Sequence, residues 1–175
     1  MITRGDERSG AVFSDCERYR YRLWRRFDRP SLGKHSGAGI CMFMLLNPST
    51  ADENVLDPTL ARCWRFANRW GYAGMEVCNI FAYRATDPRD MRKQNDPIGP
   101  DNDDAIIEAC CNSARVIVGW GNNGMRMGRA ASVLRMLDQA EISVYSLRTT
   151  KAGAPSHPLY LPMDLTPQLY QGQVE

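Results

Sequence analysis

The pattern of apolar and polar positions predicts a chain in which strands and helices alternate. The longest unbroken apolar run covers residues 40–46 and stops at Asn47 and Pro48. Because apolar and polar residues do not alternate within this run, we predict a strand that is buried on both faces. Proline lacks a backbone N–H and ends the strand, which places Asn47 at a strand-to-loop corner. An asparagine there either makes an ordinary turn or serves a ligand site.

The rest of the pattern predicts three more strands and three helices. Strands are predicted over 75–82, 115–121 and 142–147, and helices over 59–70, 101–113 and 125–140. The first helix has start signals at Asp57 and Pro58 and a stop signal at Gly71. Strands that alternate with helices favour an α/β fold, a three-layer α/β/α sandwich with a central, mainly parallel sheet.

Length and composition set further limits. A chain of 175 residues is most simply one domain, with 1–17 and 165–175 as the segments that we expect to be loosest. Its apolar runs are too short to span a bilayer and its charged N-terminus is unlike a signal peptide, so we expect a soluble, cytoplasmic protein. Six cysteines without a Cys-x-x-Cys pair indicate reduced thiols, and we expect neither a metal nor another cofactor.

One segment concentrates positive charge, although the net charge of the chain is only +2. Between residues 18 and 29, six arginines are interspersed with tyrosine, leucine and tryptophan. In a strand this pattern would place arginines on one face and aromatic residues on the other. The segment is either a solvated edge strand that its charge protects from pairing, or a phosphate-contacting surface.

Polar residues follow the predicted strands. Asn47 and Asn79 end the first two, a Trp-Gly-Asn turn at 120–122 ends the third, and the basic segment 148–160 with His157 follows the last. The carboxyl ends of parallel strands meet at one edge of a sheet, so these residues should converge. His157 is either structural or catalytic. An asparagine offers both a donor and an acceptor, which complements the amide edge of a pyrimidine.

This order of motifs resembles the uracil-DNA glycosylase superfamily, with Asn-Pro after a first apolar strand, Asn after a second and a late Ser-His-Pro loop. A closer likeness spans about residues 16–164 and is to a bacterial and phage family known only as a domain of unknown function. The motifs that carry the closer likeness are Leu46-Asn47-Pro48-Ser49-Thr50-Ala51-Asp52, Asp57-Pro58-Thr59, Asn79-Ile80-Phe81-Ala82, Asp96-Pro97-Ile98-Gly99-Pro100, Gly119-Trp120-Gly121 and His157-Pro158-Leu159-Tyr160-Leu161.

The resemblance to the glycosylases implies roles for individual residues. Asn47 would position the water that attacks C1′ of a flipped-out nucleotide, Asn79 would read the base, and His157 would donate to its O2. The loop carboxylates Asp52 and Asp57 are further catalytic candidates, with turn-capping and helix-capping as the alternative. The substrate-binding candidates are Asn79, Ser49, Pro48 and Phe81. The DNA-binding candidates are Arg20, Arg22, Arg62, Arg84, Lys151 and Ser156.

Ser49 bears on the choice of base. Uracil-specific members of the superfamily carry a tyrosine at this place that collides with a C5 methyl group, whereas a serine leaves space beside C5. We therefore expect a monofunctional DNA glycosylase that excises a C5-substituted pyrimidine, hydroxymethylated or glucosylated, from phage DNA and leaves an abasic site. Such an enzyme would serve antiviral defence.

The expected partner is double-stranded DNA that contains a modified base, with no membrane and no obligatory protein partner. Two alternatives stay open: a non-catalytic sensor of nucleic acid or nucleotides, and an enzyme that acts on free nucleosides or nucleotides.

Overall fold

The computed structural model describes residues 1–28, 38–49 and 56–172. The strands are β1 (Ile2–Gly5), β2 (Ser9–Phe13), β3 (Arg20–Arg26), β4 (Ala38–Leu45), β5 (Tyr72–Asn79), β6 (Arg115–Val118), β7 (Val144–Ser146) and β8 (Gln168–Leu169). The helices are α1 (Pro58–Trp70), α2 (Pro88–Arg92), α3 (Asn102–Cys111), α4 (Gly121–Gly124) and α5 (Arg129–Gln139). In this part of the chain, the eight strands form one sheet in the order β1-β2-β3-β5-β4-β6-β7-β8.

The centre of the sheet is parallel and its two sides are antiparallel. Strands β5, β4, β6 and β7 pair in parallel. Strands β1, β2 and β3 continue the sheet with antiparallel pairing on one side, and β8 does so on the other. The predicted α/β class is confirmed, but the sheet is mixed rather than mainly parallel. Of the antiparallel strands, β1, β2 and β8 were not predicted because they are short, whereas β3 lies in the basic segment for which a strand was one interpretation.

Both faces of the central sheet carry an apolar cluster. Successive residues of a strand point to opposite faces. Phe43 accordingly packs in one cluster with Phe66 of α1, whereas Met44 packs in the other with Ile106 of α3 and Leu134 of α5. The prediction that this strand is buried on both faces is confirmed, and it explains why the apolar run does not alternate.

Helix α1 begins and ends at the predicted signals. The Asp57 carboxylate caps its first turn, Pro58 occupies the first helical position, and Gly71 ends it with a left-handed φ of 84°. Helix α1 has 13 residues. Its capping carboxylate, at the N-terminal end, lies beside the loop that follows β4. Across the described ranges, no helix has the length and apolar character needed to cross a membrane.

Segments near both ends of the described residues contribute strands to the sheet, while the looseness expected of 1–17 and 165–175 stays a prediction. β1 pairs with β2 along its whole length, and β8 pairs with β7. Tyr170, directly after β8, is only 7% exposed. β1 pairs with the next strand along the chain, whereas β8 pairs with a strand more than twenty residues earlier, which the local pattern of a short strand does not reveal.

A β-bulge interrupts β3. Val12 of β2 pairs with Arg22, and the next residue, Phe13, pairs with Arg20, so Tyr21 is the extra residue. An extra residue shifts the following side chains to the opposite face of the strand. The bulge therefore turns Arg20 away from the direction of Arg22 and toward the carboxyl ends of the parallel strands.

Candidate active site

A cleft opens at the carboxyl ends of the parallel strands. Its volume is about 360 Å³. The polar residues that line it begin β3 or α1, end β5, follow β4, β5 or β6, or belong to the loop after β7: Arg20, Asn47, Ser49, Asp57, Thr59, Asn79, Thr86, Asn122, Asn123 and His157. The predicted convergence of the strand ends is thus confirmed, and it follows from the parallel pairing of β4 with both β5 and β6.

Asn47 is held in a fixed orientation by the backbone. Its Nδ2 donates to the carbonyl oxygen of Ala85 at 2.7 Å and to that of Pro48 at 3.2 Å. The N–H of Ala85 also donates to the Pro48 carbonyl at 2.9 Å, which ties the two loops together. Since carbonyl oxygens only accept, these contacts identify the amide nitrogen and leave Oδ1 as an acceptor.

The side chain of Asn79, unlike that of Asn47, is not held by hydrogen bonds to described residues. This side chain is 2% exposed and lines the cleft, and it makes no hydrogen bond with any residue that the structure describes. This amide therefore offers a donor and an acceptor to a ligand that enters the cleft.

Two buried side chains hold the backbone at the end of β5. Nδ2 of Asn102 in α3 donates to the carbonyls of Asn79 at 3.0 Å and Ile80 at 3.2 Å. Nε of Arg129 in α5 donates to the Ile80 carbonyl at 2.7 Å, and Arg129 also pairs with Asp103. Sequence reasoning missed both positioning residues, because their partners are distant in the chain. The signal that could have identified Arg129 is its position as a charged residue at the start of the apolar face of α5.

Asp57 connects α1 to the loop after β4. Its Oδ1 accepts from the N–H of Leu60 at 2.8 Å, and its Oδ2 accepts from Oγ of Ser49 at 2.5 Å. The capping alternative is therefore confirmed, yet the same carboxylate lies in the cleft because capping occupies only one of its oxygens. The other predicted carboxylate, Asp52, lies outside the described residues.

His157 precedes a 3-10 turn, Pro158–Tyr160, and lines the cleft. Its Nδ1 accepts from the N–H of Leu159 at 3.4 Å. Burial lowers the pKa of His157 below its ordinary value of 6.5, although the negative charge of Asp57 acts in the opposite direction. An imidazole that is neutral and accepts at Nδ1 carries its proton on Nε2, so His157 can donate to a ligand without being charged.

Arg20 lies in the cleft rather than on an exposed stripe. It is 3% exposed, and burial lowers its pKa to about 10, with Asp57 acting in the opposite direction. A guanidinium with this pKa stays positively charged at neutral pH. The prediction of an exposed phosphate contact at Arg20 is corrected, because the bulge at Tyr21 turns the side chain inward.

Arg22 is neutralised within the fold. Its Nε pairs with Glu76 of β5 and its Nη1 with Glu108 of α3, each at 2.5 Å. Strand β3 lies between β2 and β5, so it is not an edge strand. The solvated-edge interpretation of the basic segment is therefore corrected, and the phosphate contact of Arg22 stays a prediction that its two ion pairs do not favour.

Phe81 and Pro48 do not line the cleft. Phe81 is 1% exposed and belongs to the apolar cluster beneath α3 and α5. Pro48 is buried, and its carbonyl accepts from Asn47 and Ala85. Their predicted substrate contacts are corrected: Phe81 belongs to the core, and Pro48 shapes the wall of the cleft through its backbone.

The remaining DNA-binding candidates are spread over several surfaces. Arg62 donates to the carbonyl of Leu161, and Arg84 donates to that of Glu17 at 3.3 Å. Lys151 is exposed and Ser156 is partly buried, both on the loop that leads to His157. None of these four candidates lines the cleft.

The cleft combines groups suited to a neutral or anionic planar ligand. It contains an amide fixed to present an acceptor, an amide without a described partner, an imidazole donor, a carboxylate and a guanidinium. Among the described residues, no cluster of three or more His, Cys, Asp or Glu side chains could hold a metal ion. The groups present can orient a water molecule and stabilise a leaving group by hydrogen bonding and charge.

The fold and the cleft define an α/β protein with a polar cleft at the carboxyl edge of its sheet. The chain belongs to the family described as Protein of unknown function (DUF1643), which matches residues 20–159. The predicted membership of a family of unknown function is thus confirmed, and the matched range contains the cleft residues from Arg20 to His157. Neither the curated proteins nor the solved structures give a match. The likeness to uracil-DNA glycosylases stays a prediction.

Proposed function

We propose that this protein is a DNA glycosylase that takes a modified base into the cleft and hydrolyses its N-glycosidic bond. The observation that carries the proposal is the Asn79 amide, which is 2% exposed in the cleft and has no partner among the described residues. Its donor and acceptor complement the amide edge of a flipped pyrimidine. The order of motifs shared with uracil-DNA glycosylases supports the same assignment, as do helices packed on both faces of the sheet, which suit the three-layer arrangement.

The remaining cleft residues supply the chemistry. Oδ1 of Asn47 orients a water that attacks C1′ while the bond from C1′ to the base breaks and its electron pair leaves with the base. The new C1′ hydroxyl releases one proton to solvent, and the anionic base takes up one proton from solvent after it has left. His157 donates through Nε2 to an oxygen of the departing base, and the charge of Arg20 favours the developing anion. Asp57 stabilises the positive charge on the sugar. No step requires a change in the protonation state of His157.

The substrate that we propose is a C5-substituted pyrimidine, hydroxymethylated or glucosylated, as found in the DNA of some phages. Ser49 supports this choice because it is small, lines the cleft and turns its hydroxyl to Asp57. Tyr160, 87% exposed at the end of the turn after His157, is an aromatic side chain that can stack where the flipped base has left the helix. Removal of such bases would act against phage DNA.

Matched oligonucleotides that differ at one pyrimidine test the proposal. They contain uracil, thymine, hydroxymethylcytosine or glucosylated hydroxymethylcytosine, and alkali-labile breaks and released base are measured. We expect release of the C5-substituted bases. Ser49→Tyr should suppress that release and spare uracil, while the small Ser49→Ala variant keeps the wild-type preference. A preference for uracil that Ser49→Tyr leaves unchanged would indicate ordinary uracil repair, and release from none of the oligonucleotides would refute the glycosylase.

A second candidate is an enzyme that hydrolyses free nucleotides. Two observations favour it: Arg20 places its charge inside the cleft, and Arg22, which had suggested a polymeric ligand, is paired with Glu76 and Glu108. Base release from free nucleotides at a rate equal to or above that from oligonucleotides would select this candidate. Binding of DNA without release from either substrate would select the sensor.

A further inference from the structure

A second groove lies beside the cleft, where β7 and β8 form the edge of the sheet. Its volume is about 800 Å³. The residues that line it include Met125, Arg148, Lys151, Gln168, Leu169 and Tyr170. Its lining contains two cations and no carboxylate. The groove is therefore positively charged, in contrast to the mixed charges of the cleft.

The two cations of the groove are not neutralised by the protein. Arg148 and Lys151 are exposed, and neither forms an ion pair with any residue in the described ranges. Arg22 is the opposite case, because two glutamates neutralise it. Arg148 and Lys151 are thus free to contact an anionic ligand.

The loop that carries both cations is tied to its surroundings by hydrogen bonds. Thr149 bridges to Pro155, and the N–H of Thr150 donates to the Ala154 carbonyl at 2.8 Å. The Tyr170 hydroxyl donates to the carbonyl of Gly153 at 3.0 Å, which fastens the loop to the sheet edge. A cation on an ordered loop loses less entropy when it binds, so the groove is organised before a ligand arrives.

The same loop joins the groove to the cleft. Oγ1 of Thr150 donates to Oδ1 of Asn122, a cleft residue, at 2.7 Å. The N–H of Ser156 donates to the Arg148 carbonyl at 2.8 Å, and His157 follows directly. A strand whose base occupies the cleft can therefore continue into the groove.

We propose that this groove binds the phosphate backbone of the target strand on one side of the flipped nucleotide, so that the DNA footprint is asymmetric. The positive charge selects a polyanion, and the exposed side chains of Met125 (40%) and Leu169 (57%) provide apolar surface for sugars and unstacked bases. This proposal rests on the proposed function, because the base in the cleft sets the register of the strand.

The test compares wild-type protein with the double variant Arg148→Gln, Lys151→Gln. Arg135→Gln on the outer face of α5 removes one exposed charge elsewhere and serves as the control. Affinity for labelled DNA is measured by anisotropy over a salt series, with oligonucleotides shortened stepwise on either the 5′ or the 3′ side of the target base. The double variant should reduce the salt slope by about 0.7–0.9 for each lost phosphate contact, and the control should not. Shortening one side should weaken wild-type binding strongly, and the double variant should lose this dependence.

An unchanged salt slope in the double variant, or equal losses from shortening either side, would overturn the groove proposal. If the double variant melts at a lower temperature than wild type, Lys151→Gln alone repeats the comparison, because that exposed side chain makes no described contact. An asymmetric footprint with no base release from any oligonucleotide refutes the proposed function but not the groove. Base release with a symmetric footprint refutes the groove but not the function.

Discussion

Two asparagines at the ends of neighbouring strands differ in the hydrogen bonds that their side chains make. Asn47, after β4, donates to two backbone carbonyls, whereas Asn79, at the end of β5, is 2% exposed with no described partner. The first amide is oriented by the protein itself, and the second keeps its donor and acceptor for whatever occupies the cleft. The comparison teaches that residue type and strand position do not define a role: the hydrogen bonds that surround the side chain assign one residue to positioning and the other to recognition.

The largest expected effect tests the fixed amide. Asn47→Ala should lower base release by a factor on the order of 10²–10⁴, as for loss of a group that acts on the reacting water. DNA affinity should change little, because Asn47 does not contact phosphates. Single-turnover rates and anisotropy measure the two quantities. Asn47→Asp keeps an acceptor oxygen but loses both donations, and should retain part of the rate. Equal losses of DNA affinity and base release in Asn47→Ala would contradict a positioning role for Asn47 that differs from recognition by Asn79.

The second prediction concerns the amide without a partner. Asn79→Asp replaces a donor by an acceptor-only group, so the preference between bases should shift by about 1–3 kcal/mol, roughly five- to 150-fold in relative rate. Asn47→Asp carries the same chemical change at the fixed amide and should leave the ratio of rates between bases unaltered. Competition between two oligonucleotides measures this ratio. If Asn79→Asp also leaves it unaltered, Asn79 is a structural residue.

The two carboxylate oxygens of Asp57 have different partners. One accepts from the backbone of α1, and the other accepts from Ser49. Asparagine caps helices as well as aspartate does, so Asp57→Asn should keep the stability of α1, while Asp57→Ala should cost about 1 kcal/mol. If the charge acts on the sugar, both variants should lose release on the order of tenfold. Thermal melts and single-turnover rates separate the two effects. Full activity in Asp57→Asn would leave Asp57 a helix cap only.

The smallest expected effect is a pH dependence of stability that His157 causes. Because burial lowers its pKa below 6.5, the unfolded chain takes up a proton more readily than the folded protein. The stability that the neutral ring contributes is complete above that value and is lost as the pH falls from it toward the lower pKa of the folded state. Melting temperatures over this range should fall more for wild type than for His157→Gln, and the two curves should run parallel above it. Equal slopes would show that the ring is already hydrated, like an exposed group.

The elements with strong local signals were predictable from the sequence. The apolar run ending at Leu46 predicted a central strand buried on both faces, and Asp57, Pro58 and Gly71 marked the ends of α1. Parallel strands meet at one edge, so the order of the elements also brought Asn47, Asn79 and His157 together. These predictions succeeded because the spacing of apolar residues, the helix caps and the direction of each strand are properties of contiguous residues.

The tertiary structure alone decided which charges are free and which amide is fixed. The arginines of β3 and the cations of the 148–151 loop look alike in sequence, yet a bulge buries Arg20, two glutamates neutralise Arg22, and Arg148 and Lys151 stay exposed. The sequence by itself determined the class of fold and the list of residues at the strand ends. Pairing partners came from strands and helices distant in the chain, and long-range contacts of this kind leave no local pattern to read.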